Sequence, residues 1–300
     1  MTFDPRSWLF VPADSERKIA KAMASAADAI ILDLEDSVAE DVKPEARERV
    51  VELLRTAEPS AQQRWVRINP LPQGGAEADL EVITAARPHG VMLPKSESGE
   101  DVKLLARLLE LHEGRARVAA GIRIAAIVTE TPRSLFHLDS YGGTGERLAA
   151  MTWGAEDLSS ALGATSKLDG EGNLAFTYRM ARSLCLAGAV GAGVQPVDGL
   201  WGDFRDAEGL RADAEAGRRE GFTGKLAIHP DQVEVINAAF TPGEAEVEKA
   251  RRIVALFEAN PGAGTLGMDG RMLDRPHLVQ AQRVIAMAAR DHTPSLEGRG

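Results

Sequence analysis

Several short apolar runs in this chain end in charged residues placed where chemistry could use them. Glu130 closes Ile124-Ala-Ala-Ile-Val-Thr-Glu130, and Asp157 closes Met151-Thr-Trp-Gly-Ala-Glu-Asp157. Arg67 sits in Trp65-Val-Arg-Ile-Asn69, and Glu35 and Asp36 end Ala29-Ile-Ile-Leu-Asp-Leu-Glu-Asp36. Two carboxylates at strand ends can hold one divalent cation and leave its other positions to water and substrate oxygens. That is the habit of Mg²⁺, with Mn²⁺ its substitute. No histidine pair stands at zinc spacing, and one cysteine cannot build a thiolate site. The same acids also suit helix capping, Asp157 before Leu158-Ser159 and Glu130 before Pro132. Spacing alone leaves both readings open.

Arg67 alternates with Val66 and Ile68. If those two pack outward on helices, Arg67 points inward, where a guanidinium needs a paired acid or a bound anion. Glu35 or Asp36 would serve as a structural partner. Lys95, just after Pro94, reads either as a site residue or as a solvated strand end. Arg17, Lys18 and Lys21 flank a helix start that Asp14 or Ser15 can cap. A helix N-terminus with nearby bases can take an anion, although lysines on a surface helix are ordinarily just solvated.

Such side chains need a frame. Strand-like runs fall at 8–12, 29–34, 65–69, 91–94, 123–128, 148–153, 195–199 and 224–228, with amphipathic stretches between them, among them 16–26, 46–56, 78–86, 102–112, 176–189 and 208–219. Strand–helix alternation implies parallel strands joined by crossovers. Eight units in about 240 residues predict a TIM (β/α)8 barrel, whose active site lies at the C-terminal ends of the strands. A doubly wound sheet is the alternative, but no G-x-G-x-x-G follows the first strand. The expected division is a barrel over 1–240 and a C-terminal helical extension over 241–300. In the extension a helix from Pro242 to about Ala259, a linker at 260–264, a hairpin-like segment at Gly267–Leu273 and a last helix over 276–289 are expected. The polar last ten residues read as unstructured.

The bulk properties fit a soluble enzyme. The chain has 300 residues, 44% hydrophobic and 27% charged. Its net charge of −10 argues against nucleic acid as a partner, since phosphate binding needs a basic surface. Cys185, the only cysteine, allows no intrachain disulfide and sits in an apolar helical run, which suits a buried inert thiol. No run approaches a membrane span, and Trp8–Val11 is too short for a signal sequence; a cytoplasmic protein is expected.

Taken together, Arg6-Ser-Trp-Leu-Phe-Val-Pro-Ala-Asp14, Leu32-Asp-Leu-Glu-Asp-Ser-Val38, Val66-Arg-Ile-Asn69, Met92-Leu-Pro-Lys-Ser-Glu97, Glu130-Thr-Pro132, Gly154-Ala-Glu-Asp-Leu158 and Gly224-Lys-Leu-Ala-Ile-His-Pro230 resemble the citrate lyase β-subunit-like family of the HpcH/HpaI aldolase superfamily. The resemblance runs from residue 6 to about 290. It implies that Glu130 and Asp157 ligate Mg²⁺, with Glu35 and Asp36 around the metal site. It implies that Arg67 binds substrate, that Lys95, Ser96, His229 and Pro230 contact substrate or cofactor, and that Arg17 and Lys21 meet the phosphates of coenzyme A.

Gly270-Arg-Met-Leu-Asp-Arg-Pro276 is similar to the lid segment of malyl-CoA and citramalyl-CoA lyases, where an aspartate matching Asp274 reaches into a neighbouring subunit's site. That implies a homo-oligomer, a trimer or hexamer, and a catalytic role for Asp274. Asp274 also suits a plain cap on the helix at Pro276. The activity implied is cleavage of a 3-hydroxy-carboxyacyl-CoA to an acyl-CoA and a 2-oxo acid. The alternatives are a malyl-CoA thioesterase, a citrate lyase β-like subunit acting on a carrier-bound substrate, an aldolase of free hydroxy-oxo acids, and a non-catalytic subunit. Trp153, Trp201 and Met151 are candidates for the acyl pocket, with Asp198 and Asp203 nearby.

Overall fold

The structure, a computed structural model, describes residues 4–289; the polar last ten residues lie outside the described residues. In chain order the elements are β1 (Ser7–Pro12), α1 (Glu16–Met23), β2 (Ala29–Asp33), α2 (Lys43–Thr56), β3 (Gln63–Arg67), α3 (Gly75–Ile83), β4 (Gly90–Leu93), α4 (Gly99–Ala116), β5 (Arg123–Ile127), β6 (Leu148–Thr152), α5 (Ala155–Leu162), α6 (Phe176–Ala192), β7 (Gln195–Asp198), α7 (Ala207–Glu220), β8 (Gly224–Ala227), α8 (Val233–Phe240), α9 (Glu244–Glu258), β9 (Thr265–Met268), β10 (Arg271–Asp274) and α10 (Arg275–Ala289). The chain divides into two compact units, Asp4–Asn237 and the residues from Ala238 onward.

The first unit is a closed barrel of eight parallel strands in sequence order, with β1 pairing β8. Period-two alternation builds it. One face of the strands sends Trp8, Ala29, Ile31, Trp65, Met92, Ala125, Ile127, Ala150, Val197 and Leu226 into a single buried cluster. The alternate residues, such as Ile30, Leu32, Val66, Leu93 and Met151, are equally buried on the other face. Strands buried on both faces read as near-continuous apolar runs. Low in the barrel Trp8 and Trp65 meet with ring centroids 4.9 Å apart. Gly90 makes room for them, since a Cβ there would fall 2.1 Å from the Trp65 ring.

Two flanks depart from the expected alternation. Between β5 and β6 stand only two 3-10 turns, Ser134–Phe136 and Leu138–Tyr141. Between β6 and β7 there are two helices. The first, α5, is capped by Gly154, so Asp157 lies inside its first turn rather than before it. That corrects the expected capping position.

The second unit packs α9 and α10 around Ala250, Ile253, Phe257, Leu273 and Ala281. Its antiparallel hairpin β9–β10 turns on Asp269 and Gly270, both at positive φ (54° and 73°). An Asp-Gly pair adopts that turn readily. Among the described residues no helix is long and apolar enough to cross a membrane.

Candidate active site

Arg67, at the C-terminal end of β3, shares the inward face with Trp65. It stands opposite Asp33 in the β2–β3 register. Its Nε and Nη2 donate to Asp33 Oδ1 and Oδ2 at 2.7 and 2.6 Å. Nη1 lies 2.7 Å from Glu35 Oε2, and the guanidinium sits 4.9 Å from the Phe10 ring centroid. Burial alone would lower the pKa of Arg67, but the bonds and charges of Asp33 and Glu35 outweigh it and hold it above the usual value. For Asp33, burial pulls upward and Arg67 more than reverses it, leaving the carboxyl below its ordinary value.

Lys95 reaches Glu35, Asp36, Glu130 and Asp157, the four acids that end the apolar runs. It has a left-handed backbone, φ 52°. Its N–H donates to Glu130 Oε2 at 2.5 Å. Its ammonium pairs closely with Glu35, lies 3.1 Å from Asp36 Oδ2, and is 3.8 Å from Asp157 Oδ1. Glu130 is 4% exposed. Burial first, then the charges of Asp157 and Glu35, push its carboxyl up to about 8 against partial relief from the Lys95 N–H. Burial likewise leaves Glu35 raised, though Arg67 and Lys95 oppose it. A Cβ on Gly154 would fall 3.3 Å from the Glu130 side chain, so the small residue before α5 leaves the carboxylate its place.

These groups face a cavity of about 920 Å³. Asp33, Asp36, Arg67, Glu130 and Asp157 line it, together with Phe10, Ile127 and Leu226 from the barrel interior. Trp153, Leu168, Leu174, Leu200 and Trp201 form a more apolar wall. Asp203 also lines it, whereas Met151 is buried outside its lining. Asp198 is fully buried and accepts from Arg182, Lys225 and Trp153.

The other residues singled out in the sequence lie apart from the cavity lining. Ser96 is 1% exposed, with its hydroxyl 2.8 Å from Tyr141 Oη. His229 stacks on Phe204, and its Nδ1 accepts from Asp231 N–H, capping the turn that Pro230 begins. Arg17 and Lys21 are exposed on α1. Asp274 ends β10 in the second unit, its Oδ1 2.5 Å from Nδ1 of His277.

Asp33 was not singled out in the sequence, although it shares the inward face of β2 with Ile31. The Leu168–Leu174 wall carries no local signal; it is a loop closed by one bridge between those two residues.

Acids and an arginine around a barrel mouth fit many chemistries, and relatives narrow them. The profile described as HpcH/HpaI aldolase/citrate lyase matches residues 6–230. The chain belongs to this family. Within and beside the HpcH/HpaI aldolase/citrate lyase family it is similar to a (3S)-malyl-CoA thioesterase of Cereibacter sphaeroides, 37% identical over 94% of both chains. It is also similar to the mitochondrial citramalyl-CoA lyase of Rattus norvegicus, 34% identical over 94% of this chain and 86% of that one. A crystal structure of protein CitE from Mycobacterium tuberculosis, in complex with magnesium, acetoacetate and coenzyme A, matches with a TM-score of 0.80 at 32% identity, covering 96% of this chain and 100% of that one.

Proposed function

We propose that the protein is a Mg²⁺-dependent carbon–carbon lyase that cleaves a 3-hydroxy-carboxyacyl-CoA of the malyl, methylmalyl or citramalyl type to an acyl-CoA and a 2-oxo acid. The observation that carries this reading is the pairing of Glu130 and Asp157 with Arg67 around one cavity. The cation fits these residues. Glu130 is a buried carboxyl raised to about 8 beside like charges, which a divalent cation would relieve. Glu130 and Asp157 would hold the cation, and its remaining oxygens would come from water and substrate, as is common for Mg²⁺; among the described residues no three His, Cys, Asp or Glu side chains gather into a ready-made cage. When bound, the cation supplies Lewis acidity and lowers the pKa of a coordinated hydroxyl.

The chain's own residues do the rest. Asp33 takes two of the five N–H groups of Arg67, and Glu35 lies in ion-pair contact with Nη1. The N–H groups left over meet the substrate carboxylate and the oxygen on which charge develops. As the hydroxyl passes its proton to water, the bond from its carbon to the acyl α-carbon breaks. The 2-oxo acid leaves with the new carbonyl, and the electron pair passes to the thioester as an enolate. Asp274 of a neighbouring copy in a homo-oligomer, a trimer or hexamer, delivers the proton to that α-carbon. Arg17 and Lys21 meet the coenzyme A phosphates, and Lys95, His229 and Pro230, which do not line the cavity, contact substrate or cofactor outside it.

The likeness to (3S)-malyl-CoA thioesterases favours a second reading. Water would then attack the thioester carbonyl and the C–S bond would break, releasing free thiol and the hydroxy diacid. Incubation of purified protein with Mg²⁺ and malyl-CoA or citramalyl-CoA, following free thiol and 2-oxo acid separately, tests both. Oxo acid without thiol supports the lyase. Thiol without oxo acid replaces it with the thioesterase, and neither product overturns both.

A further inference from the structure

The turn that carries Lys95 is strained, and something must hold it. A lysine at φ 52° sits in the left-handed region, which disfavours a side chain with a Cβ. Yet this conformation aims the Lys95 N–H at Glu130 Oε2. Strain of this kind persists only where its surroundings over-determine it.

The neighbouring residue supplies the restraint. Ser96 N–H donates to the Ile127 carbonyl at 3.2 Å, tying the turn to β5. On its other side stands Tyr141, 45 residues away in sequence. Tyr141 Oη donates to the Ser96 carbonyl at 3.2 Å and lies 2.8 Å from Ser96 Oγ. One consistent arrangement has the serine hydroxyl donating to the phenol oxygen. Both side chains are 1% exposed, and burial keeps the phenol neutral and able to donate. The segment around Tyr141 is seated closely on the same loop. Ser140 Oγ accepts from Gly99 N–H at 2.9 Å, and a Cβ on Gly99 would fall 2.1 Å from the Ser140 carbonyl oxygen. Tyr141 is not among the residues lining the cavity.

We infer that Tyr141 is a positioning residue for the cation-binding carboxylate: by clamping Ser96 it holds Lys95 in the left-handed turn whose N–H fixes Glu130. The inference rests on the proposed role of Glu130 as a ligand of the divalent cation.

The test is calorimetric titration of the full-length chain with Mg²⁺ alone, at a temperature where every variant is folded. Tyr141→Phe removes the hydroxyl and keeps the ring; Mg²⁺ binding is expected to weaken about five- to tenfold. Ser96→Ala keeps the bond from Tyr141 to the Ser96 carbonyl and is expected to give a smaller loss, which keeps the inference testable should Tyr141→Phe not fold. Glu130→Gln separates the two levels. If it abolishes Mg²⁺ binding while Tyr141→Phe and Ser96→Ala bind like the parent, the positioning role is overturned and the ligand role stands. If Glu130→Gln binds Mg²⁺ normally, the ligand role falls and takes the inference with it.

Discussion

Asp33 and Arg67 stand opposite each other on adjacent strands and meet through two parallel hydrogen bonds of 2.7 and 2.6 Å. The fork of the guanidinium matches the carboxylate edge, and both groups are largely buried, with side chains 3% and 12% exposed. Removing one partner of such a pair leaves the other charge under-compensated, typically at about 3–5 kcal/mol. Glu35 remains beside Arg67, so Asp33→Asn is expected at the low end, about 3 kcal/mol by urea unfolding. The released guanidinium also loses its fixed direction, so kcat/KM falls with stability. Unchanged stability would mean that Glu35 alone suffices to hold Arg67.

The raised Glu130 carboxyl predicts how metal binding follows pH. Its folded value of about 8 lies above the ordinary 4.5. Below 8 the folded chain keeps the proton, and a cation must displace it. Mg²⁺ affinity therefore climbs by at most about tenfold per pH unit toward 8 and levels off above. In the metal-free chain the linkage has the opposite sign. The protonated carboxyl favours the fold fully below 4.5, and that advantage is lost as pH rises through about 8. Mg²⁺ should accordingly raise the melting temperature more at high pH than at low. A Mg²⁺ affinity independent of pH would remove Glu130 from the ligand set.

What was legible in the sequence followed from periodicity, and what was not depended on long-range contact. Val66 and Ile68 flank Arg67, so strand alternation alone turns the guanidinium inward. The same alternation puts Asp33 beside Ile31, and the inward-facing partner could have been read there; the acids just beyond the strand drew the reading to Glu35 and Asp36 instead. Glu35 does reach Arg67, whereas Asp36 reaches Lys95. No local pattern links Ser96 to Tyr141, because that contact exists only once the barrel has closed. The left-handed turn at Lys95 was likewise hidden, since lysine is not a residue that announces positive φ.

Asp274 immediately precedes α10, and its backbone N–H donates to His277 Nδ1 at 3.2 Å, a place where its carboxylate suits a helix cap. Asparagine caps about as well as aspartate, so Asp274→Asn should preserve the hairpin and helix. If Asp274 moves the proton at the α-carbon, turnover falls by about 10²–10⁴, the range of general acid–base catalysis. CoA-ester affinity should stay within a few-fold. Steady-state kinetics with an independent binding measurement checks this, and full turnover in Asp274→Asn would leave the residue a plain helix cap.

Gly199 and Trp153 define the cavity wall most open to redesign. Trp153 Nε1 donates to buried Asp198 at 2.8 Å, and the indole lies so close over Gly199 that a Cβ there would fall 2.8 Å from it. Gly199→Ala must displace the ring, and the ring lines the cavity. Overpacking of this kind costs about 1–3 kcal/mol of stability. The functional effect should fall more heavily on the bulkier acyl group: a methyl is worth about 1–3 kcal/mol in a pocket, so the ratio of kcat/KM for citramalyl-CoA over malyl-CoA is expected to drop by about tenfold or more. Parallel kinetics on the two esters measure that ratio directly. Equal losses on both would show that Trp153 bounds a part of the cavity the acyl group does not reach.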